Sequence, residues 1–164
     1  MALTQITGTG IGSVDSLTPT TIYLGGSGSA NALDDYEEGS WTPSIGGTAT
    51  YTHSEGFYTK IGNLVHIHFD IQINAIGTGN GSSITNAPFT SANLPNVATG
   101  YPISIAYHGT LANTATWIVG YVADSGTSIS FAGNNTAATT IQLNGFVVFQ
   151  NGARIIGSGT YRTA

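Results

Sequence analysis

The chain has 164 residues, and only 7% of them are charged, against roughly 25% in ordinary soluble domains. Three basic and eight acidic residues give a formal net charge of -5, too few cations for nucleic-acid binding by phosphate neutralisation. There is no cysteine, which excludes disulfides and thiolate metal sites.

Residues 1 to 32 carry scattered aliphatics (Leu3, Ile6, Ile11, Val14, Leu17, Ile22 and Leu24) separated by Gly, Thr and Ser. No helical period persists. "TTIYLGG" reads as a short strand and "GGSGSA" as a flexible linker. Solvated tails do not need so many large aliphatics, so this segment is predicted to be an arm that docks on a partner. The first residues lack the cationic start and apolar run of a signal peptide. No apolar stretch approaches the roughly 18 residues of a membrane span, so no membrane insertion is expected.

"NALDDYEEGSWTP", residues 31 to 43, holds Asp34, Asp35, Glu37 and Glu38, half of the acidic residues. Its pattern predicts one helical turn: Asn31 as N-cap, Asp34 in the first turn, Gly39 as a left-handed stop. Carboxylates there complement the helix dipole, by a few tenths to about 1 kcal/mol each. Leu33, Asp34, Tyr36, Gly39, Trp41 and Pro43 are thus predicted to form a junction between arm and domain. Trp41 anchors it, and Pro43 sets an extended lead into the first strand.

From Trp41 onward, strand-like runs alternate with turn clusters. "TATYTHS" is a polar strand. In "NLVHIHFDIQIN" (63 to 74), Val65, Ile67, Phe69, Ile71 and Ile73 alternate with His66, His68, Asp70, Gln72 and Asn74. That alternation predicts a strand with one buried face. "AIGTGNGSS" is a loop, and residues 86 to 102, with three prolines, should be irregular. "ISIAYHGTL", "ATWIVGYVA", "SISFAG", "TTIQLNGFVVFQ" and "RIIGSGTYR" are further strands. The expected fold is all-β: residues 33 to 164 as an antiparallel β-sandwich of jelly-roll type, with residues 1 to 32 as an extended arm. A weakly charged chain of this size with no cysteine gains stability from assembly.

"LDDYEEGSWTPSIGG", "GFYTKIGNLVHIHFDIQIN", "NAPFT" and the terminal "GSGTYRTA" together resemble a recurrent domain of tailed-bacteriophage structural proteins. The resemblance runs in order over residues 31 to 164; the first two motifs are the specific ones. Ser40 stands where that family more often has Thr, and Ala87 where Leu is usual before Pro-Phe. The resemblance implies a β-sandwich at the end of a tail fibre or other virion appendage, usually a homotrimer. It implies a virion-surface location and binding of the arm to a capsid, tail or baseplate protein. A host-surface glycan or protein is the implied external partner. Fibre domains usually follow a long shaft, whereas about 32 residues precede this one; a capsid decoration (cement) protein is the alternative reading. A polysaccharide-degrading tailspike-type enzyme is the remote one.

No catalytic residue and no cofactor is expected. A glycosidase needs two carboxylates facing each other about 5 to 10 Å apart, which neighbours on one turn do not provide. There is no Gly-x-Ser-x-Gly elbow for a hydrolase nucleophile, and "GTGIGS" and "GTGNGS" lack the context of phosphate loops. His66, His68 and Asp70 on one strand face, with alternate Cα atoms about 6.5 to 7 Å apart, are candidate metal ligands. Such a face more often meets water or another subunit. The numerous Tyr and Trp residues suit core and subunit seams first, and sugar or protein surfaces second.

Overall fold

The computed structural model describes residues 22–23, 32–33, 35–95, 100–135 and 145–163. The chain divides into two compact units, Met1–Asp34 and Asp35–Ala164. In the first, β1 (Ile22–Tyr23) pairs antiparallel with β2 (Ala32–Leu33), Ile22 opposite Leu33. The "TTIYLGG" strand is therefore present at β1. The rest of the expected arm and linker, with Asn31 and Asp34, lies outside the described residues.

The second unit is all-β. Its strands are β3 (Tyr36–Trp41), β4 (Thr50–Ile61), β5 (Leu64–Ala75), β6 (Ser83–Ile84), β7 (Gly100–Gly109), β8 (Ala115–Ala123), β9 (Ile129–Asn135) and β10 (Arg154–Arg162). They form one antiparallel sheet in the order β3-β4-β5-β10-β7-β8-β9-β6, curled into a half-barrel. The expected all-β antiparallel class holds. Its layers belong to a single hydrogen-bonded sheet that curls, so the concave side becomes the core.

β5 sits inside the sheet and shows why. Val65, Ile67, Phe69, Ile71 and Ile73 are fully buried, while Leu64, His66, His68 and Asn74 on the opposite face are exposed. Each fully buried side chain of this size contributes roughly 1.5 to 3 kcal/mol of transfer free energy. The register carries the same division to its neighbours. Ile155 lies opposite Ile71 and Tyr161 opposite Val65 on β10, and all four are buried. Gly157 on β10 lies opposite Phe69; a Cβ there would come within 2.7 Å of the Phe69 ring. The glycine makes room for the ring to lie across the strand.

Two sequence expectations fail here. Among the described residues the helical turn predicted over residues 31 to 39 does not form: residues 32 to 33 are strand β2, and residues 36 to 41 are strand β3, paired with Ile61 through Gly56 of β4. Alternation sends the carboxylates to different faces. Glu37 falls opposite Lys60, and its Oε1 accepts a 2.6 Å hydrogen bond from the Tyr58 hydroxyl. Glu38 lies on the other face and accepts a hydrogen bond from Tyr36 at 2.8 Å. Gly39 is strand, not a helix stop, with the Tyr58 ring packed over it. Local cap chemistry lost to pairing with a longer strand, which satisfies more backbone groups than one turn does. Similarly, residues 145 to 150 of the expected strand "TTIQLNGFVVFQ" are not strand, and residues 139 to 144 lie outside the described residues. Val148 and Phe149 N–H groups both donate to the Gly81 carbonyl (2.7 and 2.9 Å). Phe146, Val148 and Phe149 enter the core without a ladder partner.

The junction residues behave as an anchor. Trp41 is buried beside Phe69, ring centroids 6.2 Å apart and planes at 68°, and Pro43 is buried after it. The Pro43 carbonyl accepts a hydrogen bond from Ser54 Oγ. The Trp41 indole nitrogen has no hydrogen-bond partner among the described residues.

Candidate functional site

The convex face of β3, β4, β5, β10 and β7 presents side chains in rows set by register. At one end Tyr36, Ile61 and Leu64 stand side by side on β3, β4 and β5. Phe57, opposite Ser40 and His68, lies further along the same face. These four are large and half exposed: Tyr36 58%, Phe57 56%, Ile61 50% and Leu64 48%. An open hollow of about 440 Å³ lies beside Phe57, with Glu38, Ser40 and Thr59 among its walls. Exposed apolar side chains gathered on one sheet face, as Tyr36, Ile61 and Leu64 are, mark contact surfaces.

Further along, the face becomes polar. Asp70 on β5 accepts two hydrogen bonds from Arg154 on β10, Nε to Oδ1 at 3.0 Å and Nη2 to Oδ2 at 2.6 Å. This fork holds the guanidinium flat and charges the pair's hydrogen bonds. The Arg154 hydrogen bonds hold the Asp70 carboxyl below the usual carboxylate range, against the opposing effect of its burial. His53 Nε2 lies 3.6 Å from Asp70 Oδ2 and 3.9 Å from Glu55 Oε2. The Arg154 guanidinium sits 5.9 Å from the centre of the Tyr107 ring, which is 50% exposed.

Tyr107 owes its position to a β-bulge. Ile103, Ile105 and Tyr107 alternate in sequence and would share the concave face on a regular strand. The β10–β7 register shifts between Ile156 and Gly157: Gly157 pairs with Ile105, but Ile156 pairs with Tyr107. Ala106 is the extra residue, and it turns Tyr107 onto the convex face beside Arg154. Bulges commonly re-aim a side chain in this way. A second irregularity, around Thr52 in β4, turns Tyr51 inward opposite Ile73. There the Tyr51 hydroxyl accepts a 2.8 Å hydrogen bond from the Ile45 N–H.

The three candidate metal ligands lie on the convex face but are not brought together. His66 Nδ1 pairs with Thr160 Oγ1 at 3.1 Å, His68 is exposed opposite Phe57, and both Asp70 oxygens are engaged by Arg154. Among the described residues no three His, Cys, Asp or Glu side chains are grouped so as to hold a metal ion. Extended spacing separates the ligands, and a neighbouring strand supplies Asp70 with a cation of its own. Of the junction residues, Tyr36 is on the convex face; Gly39 and Trp41 are on the concave one.

Sequence reasoning missed Arg154, Tyr107, His53 and Glu55 as one group. They come from three strands far apart in the chain, and Tyr107 reaches them only through the bulge. One signal was available: with three basic residues in the whole chain, each has a surplus of carboxylates to meet. Lys60 indeed pairs with Asp35, and Arg154 with Asp70.

No protein-family model, curated protein or solved structure matches this chain.

Proposed function

We propose that this chain is a non-enzymatic structural protein of a tailed-phage virion. In this reading it is a short homotrimeric fibre or appendage subunit on the virion surface. Residues 1 to 32 attach it to a capsid, tail or baseplate protein, and its convex surface contacts the host. The phage assignment is supported by the sequence resemblance over residues 31 to 164. Assembly is supported by one structural observation, the exposed apolar row of Tyr36, Ile61 and Leu64 with Phe57 beyond it. These four side chains are about half exposed, so a subunit seam recovers roughly half of the 1.5 to 3 kcal/mol that full burial of each would give.

The test has two parts. The full chain should form a stable oligomer at micromolar concentration, and deleting residues 1 to 30 should leave that oligomer soluble but unable to bind particles. A truncated chain that still binds particles would overturn the role of the arm. Phage lacking the protein should fail to adsorb to host cells. Retained infectivity with weakened capsids would assign it to capsid decoration instead, and release of reducing sugar from host polysaccharide would overturn the non-enzymatic reading.

A further inference from the structure

We propose that the convex platform around Asp70 and Arg154 binds a neutral saccharide. The inference deepens the host-contact part of the reading above and rests on it for the source of the sugar.

Three observations carry it. First, the platform joins an exposed aromatic ring to fixed planar polar groups. Tyr107 offers a half-exposed ring for the C–H face of a pyranose, an apolar body with a polar tip. Arg154 lies beside it, and Asp70 and His53 continue the row across β5 and β4, with acceptors and donors for vicinal hydroxyls. Gln72, opposite both His53 and Arg154 in register, extends the same row.

Second, the groups are already held. Arg154 is clamped by both Asp70 oxygens, so little side-chain freedom is lost when a hydroxyl bridges them. Preorganisation of this kind lowers the cost of binding a weak polar ligand. The carboxylate retains lone pairs after accepting the fork.

Third, the fold departs from regularity to place the ring. A regular β7 would turn Tyr107 toward Ile105 and the concave side; the Ala106 bulge turns it outward to Arg154. A solvent-facing aromatic obtained through a bulge gains no core burial; its ring lies instead over Gly109 and beside the Arg154 guanidinium.

The charge selects the ligand class. Arg154 neutralises Asp70, and Glu55 adds a second carboxylate beside His53. The whole chain carries -5. Uronate, sialate or phosphate polymers are therefore repelled, while a neutral hexose is not.

The experiment titrates the full chain with the methyl glycosides of glucose, galactose and mannose, and with a neutral and an acidic polysaccharide, following heteronuclear NMR shifts. At least one neutral glycoside should shift the Tyr107, Asp70 and Arg154 resonances, saturating below roughly 10 mM. Tyr107→Ala should weaken it about tenfold, the loss of one aromatic contact, at an unchanged thermal midpoint. Trp117→Ala, an exposed aromatic on β8 outside the row of Tyr107, Arg154, Asp70 and His53, should leave binding intact. No shift by any neutral glycoside or polymer, equal loss in Trp117→Ala, or preference for the acidic polymer would each overturn the proposal. Because oligomer mass is measured separately, a chain that assembles but binds no sugar rejects this inference alone.

Discussion

Tyr161 is a phenol held almost entirely inside the protein. Its hydroxyl donates to the Phe89 carbonyl at 3.0 Å and accepts from the Phe89 N–H at 3.1 Å. Burial pushes its pKa up to about 12. The folded state thus binds the proton more tightly than the unfolded chain, where the phenol titrates near 10. This stability is fully present below about pH 10 and is lost as pH rises through 10 toward about 12. Tyr161→Phe should cost roughly 1 to 2 kcal/mol at neutral pH, for two lost hydrogen bonds. It should also flatten the alkaline limb of a thermal-midpoint profile; an unchanged limb would show that another group sets it. Gly56 makes a second single-residue test. A Cβ there would lie 2.3 Å from the Trp41 indole nitrogen, so Gly56→Ala should destabilise by about 1 to 3 kcal/mol through overpacking. Trp41 fluorescence should move with it, and a stable protein with unaltered emission would contradict the packing described.

Between elements, the Asp70–Arg154 fork ties β5 to β10 across the middle of the sheet. The carboxyl is depressed, chiefly by the Arg154 hydrogen bonds. It stabilises the fold above the unfolded carboxylate pKa of about 3.9, and the contribution disappears as pH falls through the lower folded value. Asp70→Asn should lower the midpoint at neutral pH and shallow the acid limb below about pH 4; an acid limb identical to that of the parent chain would contradict the pairing. At this scale the legibility of the sequence divides cleanly. β5 was readable because its alternation is a property of one segment, and β7 to β10 were largely readable for the same reason. The segment from Asn31 to Gly39 was misread because cap signals are local, whereas its fate was decided by Lys60 and Tyr58 on another strand. The segment 145–150 was misread because an apolar run reports burial without saying whether a ladder partner exists. The platform was not readable at all, since the register shift at Ala106 exists only between two paired strands.

For the whole molecule, the convex face divides into an apolar corner and a polar platform, and each has a distinct expected use. In the proposed reading the corner is the assembly surface. Ile61→Asp with Leu64→Asp places two charges on side chains that are half exposed in the single chain. The fold should therefore survive, while the oligomer should dissociate through charge repulsion and desolvation. Circular dichroism of the double variant should show the parent's strand signal at a lower sedimentation coefficient. Loss of the strand signal would instead place these residues in the fold. The central claim, that this is an assembling structural subunit, is tested most directly by sedimentation equilibrium of the full chain at micromolar concentration. A single species of three 16.8 kDa protomers, insensitive to dilution over that range, is expected. A species of one protomer mass would contradict it.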